Sequence, residues 1–344
     1  MNHQTQNPLA VVAIGGSELI QNGQTGTQRE QVRASRRVAR SVITLLQEGY
    51  RVLLVPGNGP QVGRELIRSE EASTKTPPRP LDLCVAATQG TMGELLVREI
   101  RNLLRRERIE RDVLAVHTQV LVSREDPAFN NPDKSVGPTY SEWRAKELMK
   151  TTKWTFVEDG KDQWKRVVPS PSPLDVMGID AVMHLLDAGT VVLAGGGGGV
   201  PLVVDSKGEF VGVEAVVDKD HTAALMAEHL GAEVLILLTA VDNVYTSYGR
   251  PEQTTIEQIT TADLRSFAAD GHFPEKSIGP KVEASLQFVE SGGSTAIITS
   301  TEKIAQALAD RGGTRISLNG QSAGVRHQLA LFEPTDTDSN VGEP

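Results

Sequence analysis

Three lysines in this chain stand where a positive charge could act on phosphate. Lys219 lies between Asp218 and Asp220, directly after Val216-Val217. At a strand-to-helix junction such a lysine can neutralise phosphate while an aspartate orients it. A surface ion pair is the plain alternative. Lys281 follows Gly279-Pro280, and proline suits the first turn of a helix. A cation there opposes the helix dipole, whose N-terminal end favours anions, so helix stability does not explain it. Lys134 falls within the stretch Asp126 to Pro138, and alone it reads as an ordinary surface lysine. Lysines combined with glycine-rich loops suit phosphoryl transfer, which needs positioning and charge neutralisation but no covalent intermediate. The histidines (3, 117, 184, 221, 229, 272 and 327) show no ligand spacing with cysteine, so no metal site is expected.

The elements that must position these lysines are apolar runs ending in glycine. Leu9 to Ile14 runs into Gly15-Gly16-Ser17, and Arg51 to Val55 into Pro56-Gly57-Asn58-Gly59. Thr190 to Ala194 runs into five glycines, Gly195 to Gly199. Buried strands followed by glycine turns predict three loops at one edge of a parallel sheet, where open α/β sheets bind ligands. Unpaired N–H groups in the five-glycine run are expected to face an anion. Neither G-x-G-x-x-G with its downstream acid nor the Walker pattern is present.

Strand and helix signals alternate along most of the chain, which predicts an α/β sandwich around a mainly parallel sheet. Helices are expected at 28–48, 62–71, 83–107, 174–188, 262–269, 282–291 and 304–310, and a strand over 113–122. The stretch 123–173 departs from this pattern. It holds Trp143, Trp154 and Trp164 with many prolines, and reads as a small inserted subdomain with few long elements, packed on something. One domain over 9–320 is expected, with a disordered tail at 333–344.

Composition narrows the function classes. A net charge of −9, from 35 basic and 44 acidic residues, argues against a general nucleic-acid binder. The run RNLLRRERIERD (101–112) reads as the solvated face of a helix. Cys84, the single cysteine, excludes an internal disulfide and suits a reducing cytoplasm. No apolar run approaches the ~18 residues of a membrane span, and the N-terminus lacks a signal-peptide core. A cytoplasmic protein without membrane partners is expected.

Taken in order, these segments resemble carbamate kinase, a member of the amino acid kinase superfamily, from about Leu9 to Leu318. The most specific pieces are Gly57 to Gly63, Leu81-Asp82 through Gln89-Gly90, Asp126-Pro-Ala-Phe129 through Lys134, and Arg166-Val-Val-Pro-Ser-Pro171. Gly195 to Pro201, Asp218-Lys-Asp220 and Gly279-Pro-Lys281 complete them. The resemblance implies a three-layer α/β/α fold, a protruding subdomain over the active site, and a homodimer. It implies ATP/ADP with Mg²⁺ and reversible phosphoryl transfer between carbamoyl phosphate and ADP, in catabolism of arginine or ureido compounds. Lys134 would reach the transferring phosphoryl group, and Lys219 and Lys281 would hold nucleotide phosphates. Asp220 would orient lysines. Gly15, Gly16, Ser17, Gly57, Asn58 and Gly59 would cradle the small substrate. Gly196, Gly197, Tyr248 and Ile278 would serve the nucleotide.

The chain departs from that pattern at Ser17, Pro56, Glu94, Gly178 and Lys276. Serine stands where the family usually has asparagine, and proline where it has histidine. These departures suggest an acceptor pocket of different shape. Two further readings follow: an enzyme of this fold acting on another small carboxylate or carbamate-like acceptor, and a nucleotide sensor without catalysis. Retention of Lys134, Lys219, Asp220 and Lys281 argues against the sensor.

Overall fold

The structure, a computed structural model, describes residues 7–20, 23–274 and 277–320. Eight strands form the central sheet, in the order Gln258–Thr260, Thr314–Ser317, Thr295–Thr299, Val234–Leu238, Leu9–Ile14, Arg51–Pro56, Val191–Leu193 and Val113–Ala115. All neighbours run parallel except Thr295–Thr299 against Thr314–Ser317.

Strand periodicity divides the first strand between two cores. Leu9, Val11 and Ala13 pack with helices Lys219–His229 and Gly279–Glu290. Ala10, Val12 and Ile14 pack with helices Gln28–Gln47 and Leu81–Arg106 on the opposite face. The result is the expected three-layer α/β/α sandwich. Thr27 opens the Gln28 helix with a reciprocal capping box. Its hydroxyl accepts from the Glu30 amide, and its own N–H donates to the Glu30 carboxylate at 2.7 Å.

Several element expectations need correction. Residues 113–122 form two strands in different sheets, Val113–Ala115 and Gln119–Val122. The second belongs to a four-stranded sheet with Pro173–Val176, Val200–Val204 and Phe210–Gly212. The helix expected over 174–188 is instead the strand Pro173–Val176 followed by the helix Ile179–Asp187. Gly178 separates them at φ +77°, a conformation that glycine adopts without penalty.

The stretch 123–173 carries longer elements than its prolines suggested. Lys134–Ser141, Gln163–Val168 and Thr155–Glu158 form a three-stranded antiparallel sheet, joined by the helix Glu142–Thr151. Its core is Tyr140, Ala145, Leu148 and Phe156, flanked by Trp154 and Trp164. Trp143 lies 72% exposed, so only two of the three tryptophans pack as expected. This sheet rests on the helix Gly59–Glu71: Tyr140 donates to the Glu70 carboxylate at 3.1 Å, and Gly63 lies against Gly137. No helix among the described residues is long and apolar enough to cross a membrane. The tail 333–344 and Lys276 lie outside the described residues.

Candidate active site

Parallel pairing puts the ends of three neighbouring strands side by side, so Gly15, Gly57 and Gly195 emerge at one edge. The Gly57 amide donates to Ile14 O at 2.7 Å, and the Gly197 amide to Pro56 O at 2.8 Å. The loops expected at this edge are therefore linked to one another.

The five-glycine run is buried and does not present a row of free amides. Gly195 N–H donates to Thr118 Oγ1, Gly197 to Pro56 O and Gly198 to Val217 O. Its glycines answer to packing instead. A Cβ on Gly198 would lie 2.5 Å from Val217 O, and one on Gly196 would lie 2.6 Å from Gln89 Cγ. Asn58 braces the run by donating to Gly196 O and Thr88 Oγ1, both at 2.9 Å. Gln89 clamps Thr118 through two hydrogen bonds.

Two lobes open at this edge and meet at Gly16 and Lys219. One, about 410 Å³, is bordered by Gly57, Asn58, Gly59, Gly197, Asp218 and Lys134. The other, about 560 Å³, is bordered by Gly15, Tyr245, Tyr248, His272, Ile278 and Lys281. Tyr245 and Tyr248 lie with ring centroids 5.8 Å apart, an apolar face suited to a planar base.

Between the lobes the charges form one cluster. Lys134 Nζ lies 2.7 Å from Asp218 Oδ2. Asp220 Oδ2 accepts from Lys219 at 2.9 Å and Lys281 at 3.1 Å. Asp218 also caps the Lys219 helix, its Oδ1 accepting from the Asp220 amide. The buried Lys281, set against the helix dipole, is thus compensated by a buried carboxylate from another helix. Burial pushes both carboxyls up, yet neighbouring cations outweigh it. Lys219 and Lys134 hold Asp218, and Lys219 and Lys281 hold Asp220, below the ordinary aspartate value. Burial disfavours the Lys219 charge, but Asp220 and Asp218 raise its pKa above the usual value. Burial and repulsion from Lys219 leave Lys281 below the ordinary lysine value. Three cations against two anions leave a surplus positive charge, which suits an anionic ligand.

The model of the amino acid kinase family matches residues 8–300. The chain belongs to the amino acid kinase family. A carbamate kinase of Thermococcus kodakarensis is 40% identical over 309 residues, covering 89% of this chain and 98% of that protein. A carbamate kinase-like protein of Escherichia coli is 39% identical over 311 residues, covering 90% of this chain and 98% of that one. The solved structure of carbamate kinase from Giardia lamblia bound to AMP-PNP superposes with a TM-score of 0.86 at 34% identity. It covers 91% of this chain and 99% of that one.

In this amino acid kinase the structure brings together Lys134, Lys219, Asp220 and Lys281, with Gly15, Gly16, Gly57, Asn58 and Gly59 along the lobes. Tyr248 and Ile278 line the second lobe as expected neighbours. Gly197 borders the Lys134 lobe rather than the Tyr248 lobe, and Gly196 is engaged through its carbonyl by Asn58. Ser17 belongs to the short helix Gly16–Leu19. Sequence reasoning passed over Asp218 as a site residue, though it stands beside Lys219, and also Tyr245 and His272.

Two of the departures from the family pattern, Glu94 and Gly178, fall away from the lobes, while Ser17 and Pro56 adjoin the lobe residues Gly16 and Gly57. Glu94 is exposed and pairs with Arg98 one helical turn on, at 3.4 Å. Gly178 serves a left-handed turn, and Pro56 ends its strand and presents its carbonyl to Gly197.

Gly57 has a strict steric role in this amino acid kinase. A Cβ there would lie 2.8 Å from Lys219 Cδ, 2.9 Å from Gly16 N and 3.0 Å from Ile14 O. Two of these neighbours are backbone and cannot move aside cheaply. Gly57→Ala is expected to destabilise the protein by about 1–3 kcal/mol. Displacing Lys219 should also cut kcat/KM by about 10²-fold. Thermal denaturation and steady-state kinetics of the variant check both effects; unchanged kinetics would remove Gly57 from the site's framework.

Proposed function

We propose that this chain is a carbamate kinase, transferring a phosphoryl group reversibly between carbamoyl phosphate and Mg-ADP to give ATP and carbamate. The observation that carries this reading is the Lys134–Asp218 and Lys219–Asp220–Lys281 cluster at the junction of two lobes. One lobe has aromatic walls for a nucleotide base, and the other has glycine and lysine walls for a small acyl phosphate.

With the base against Tyr245 and Tyr248, Lys281 and Lys219 receive the nucleotide phosphates. Carbamoyl phosphate occupies the other lobe, its phosphoryl group between Lys219 and Lys134. A terminal oxygen of the ADP β-phosphate attacks phosphorus, and the bond from phosphorus to the carbamate oxygen breaks. Carbamate leaves with that electron pair and later yields ammonia and CO₂. The lysines balance charge on the transferring group, and Asp218 and Asp220 hold them in place.

Magnesium fits as a companion of the nucleotide. Among the described residues no group of three His, Cys, Asp or Glu could hold a metal. Asp220 Oδ1, buried and without a hydrogen-bond partner, is the oxygen available to such an ion or to its water. When bound, such an ion would neutralise phosphate charge.

The competing reading, an altered acceptor, drew its support from the departing residues, and Glu94, Gly178 and Pro56 do not border either lobe. ATP formation from ADP, Mg²⁺ and carbamoyl phosphate by purified protein tests the proposal. Turnover with another small carboxylate, and none with carbamoyl phosphate, would replace it.

We also assign a homodimer. Leu83 and Phe210 are 51% and 55% exposed, on the start of the helix Leu81–Arg106 and on the edge strand that adjoins it, which supports a covered face there. Light scattering should give twice the 37.1 kDa chain mass, and a monomer at assay concentration would remove this assignment. The lone Cys84, buried with its thiol pushed up to about 11 by burial, supports a reducing cytoplasm as the location.

A further inference from the structure

Lys165 is a fourth lysine at the site, and its environment differs from that of the other three. It borders the Lys134 lobe from the strand Gln163–Val168, and Gly57 and Gly59 line the same lobe. Its Nζ lies 2.6 Å from Asp159 Oδ2, and both side chains are more than a third exposed. Asp159 is not among the residues that border the lobe. Strand alternation sends the adjacent Arg166 elsewhere: it is buried over the Trp154 ring at 3.9 Å and paired with Glu214. Arg166 therefore cannot take the place of Lys165.

The two lysines of the three-stranded sheet thus have unlike tethers. Lys134 is held by Asp218, a carboxylate kept ionised by surrounding cations and itself part of the lobe. Lys165 is held by an exposed aspartate outside the lobe, and an exposed pair of that kind is weak and easily exchanged. A phosphate dianion offers lysine a stronger, charge-assisted partner. Building on the carbamate kinase reading, we propose that Lys165 captures the phosphorylated substrate. It exchanges Asp159 for the phosphoryl oxygens of an incoming acyl phosphate and sets that substrate's affinity, leaving nucleotide affinity to Lys219 and Lys281. Asp159 acts as a competitor that holds Lys165 until substrate arrives.

The test compares Lys165→Ala, Lys165→Arg and Asp159→Asn with the unmodified protein in steady-state kinetics. Lys165→Ala should raise KM for carbamoyl phosphate by about 10-fold, with KM for Mg-ADP and kcat moving less than about 3-fold. Lys165→Arg should restore most of the loss, and Asp159→Asn should lower that KM by about 2-fold. An unchanged KM for carbamoyl phosphate, or equal rises for both substrates, overturns the proposal. Calorimetric titration with inorganic phosphate separates this outcome from failure of the carbamate kinase reading. If the unmodified protein makes no ATP, that reading fails. An about 10-fold weaker phosphate Kd in Lys165→Ala would still uphold anion capture, and an unchanged Kd would end it.

Discussion

Lys134→Ala is expected to lower kcat by about 10³-fold while changing KM for Mg-ADP less than about 3-fold. Lys134 borders one lobe from the three-stranded sheet, whereas the other lobe is lined by Lys281, Tyr245 and Tyr248. A cation that meets the phosphoryl group as charge redistributes contributes to the transition state more than to the ground state, so its loss falls on kcat. Folding should survive. Asp218 keeps Lys219 nearby and still accepts from the Asp220 amide. The Lys134 side chain is 43% exposed, so its pair adds about 0–1 kcal/mol at most. Initial-rate kinetics with both substrates varied, beside a thermal melt, check this. A kcat within tenfold of the unmodified protein would place Lys134 outside the reaction.

The second large effect belongs to Asp220. Its side chain is 2% exposed and its Oδ2 holds two lysines, so Asp220→Ala leaves two like charges facing each other with their direct partner gone and only Asp218 as a nearby anion. Removing one partner of a buried pair costs about 3–5 kcal/mol. A chemical-denaturation midpoint well below that of the unmodified protein is expected, together with loss of nucleotide binding by calorimetry. Asp220→Asn, which keeps the shape and removes the charge, should fold better and still lose activity. Nucleotide affinity retained in both variants would show that Asp220 does not position Lys219 and Lys281.

The same cluster sets a pH window. Asp218 and Asp220 have folded-state pKa values below the ordinary aspartate value of about 3.9. The unfolded chain therefore binds more protons below that value, and stability falls as pH drops through the folded-state values. Their contribution is fully present above the unfolded value. Denaturation midpoints should thus show no loss from these groups between pH 7 and 5, and a steep loss below pH 4. Asp220→Asn should flatten that acid limb.

Much of this molecule was legible locally. Apolar strands ending in glycine and lysine between aspartates are short-range patterns, and short-range sterics and hydrogen bonding decide them. From these came the parallel sheet, the edge where its loops gather, and the lysines at that edge. The misread boundaries share one cause. Gly178 reads as a tolerable helix residue until its left-handed φ separates a strand from a helix, and residues 113–122 read as one strand until two sheets divide them.

Tertiary structure alone decided how the charges are paired. Lys134 and Asp218 are 84 residues apart, and Lys281 and Asp220 are 61 apart. Sheet order brings them together, and no local pattern encodes it. It turned the glycine run from an expected anion cradle into a packing surface, because Thr118, Pro56 and Val217 reach its amides from other elements. It set Glu94 and Gly178 apart from the lobes and brought Lys165 to one of them. Residue type and spacing thus specified which groups this chain carries for phosphoryl chemistry. Which groups meet, and with what counter-charge, followed from long-range packing, because burial and electrostatic pairing depend on distance in space rather than along the chain.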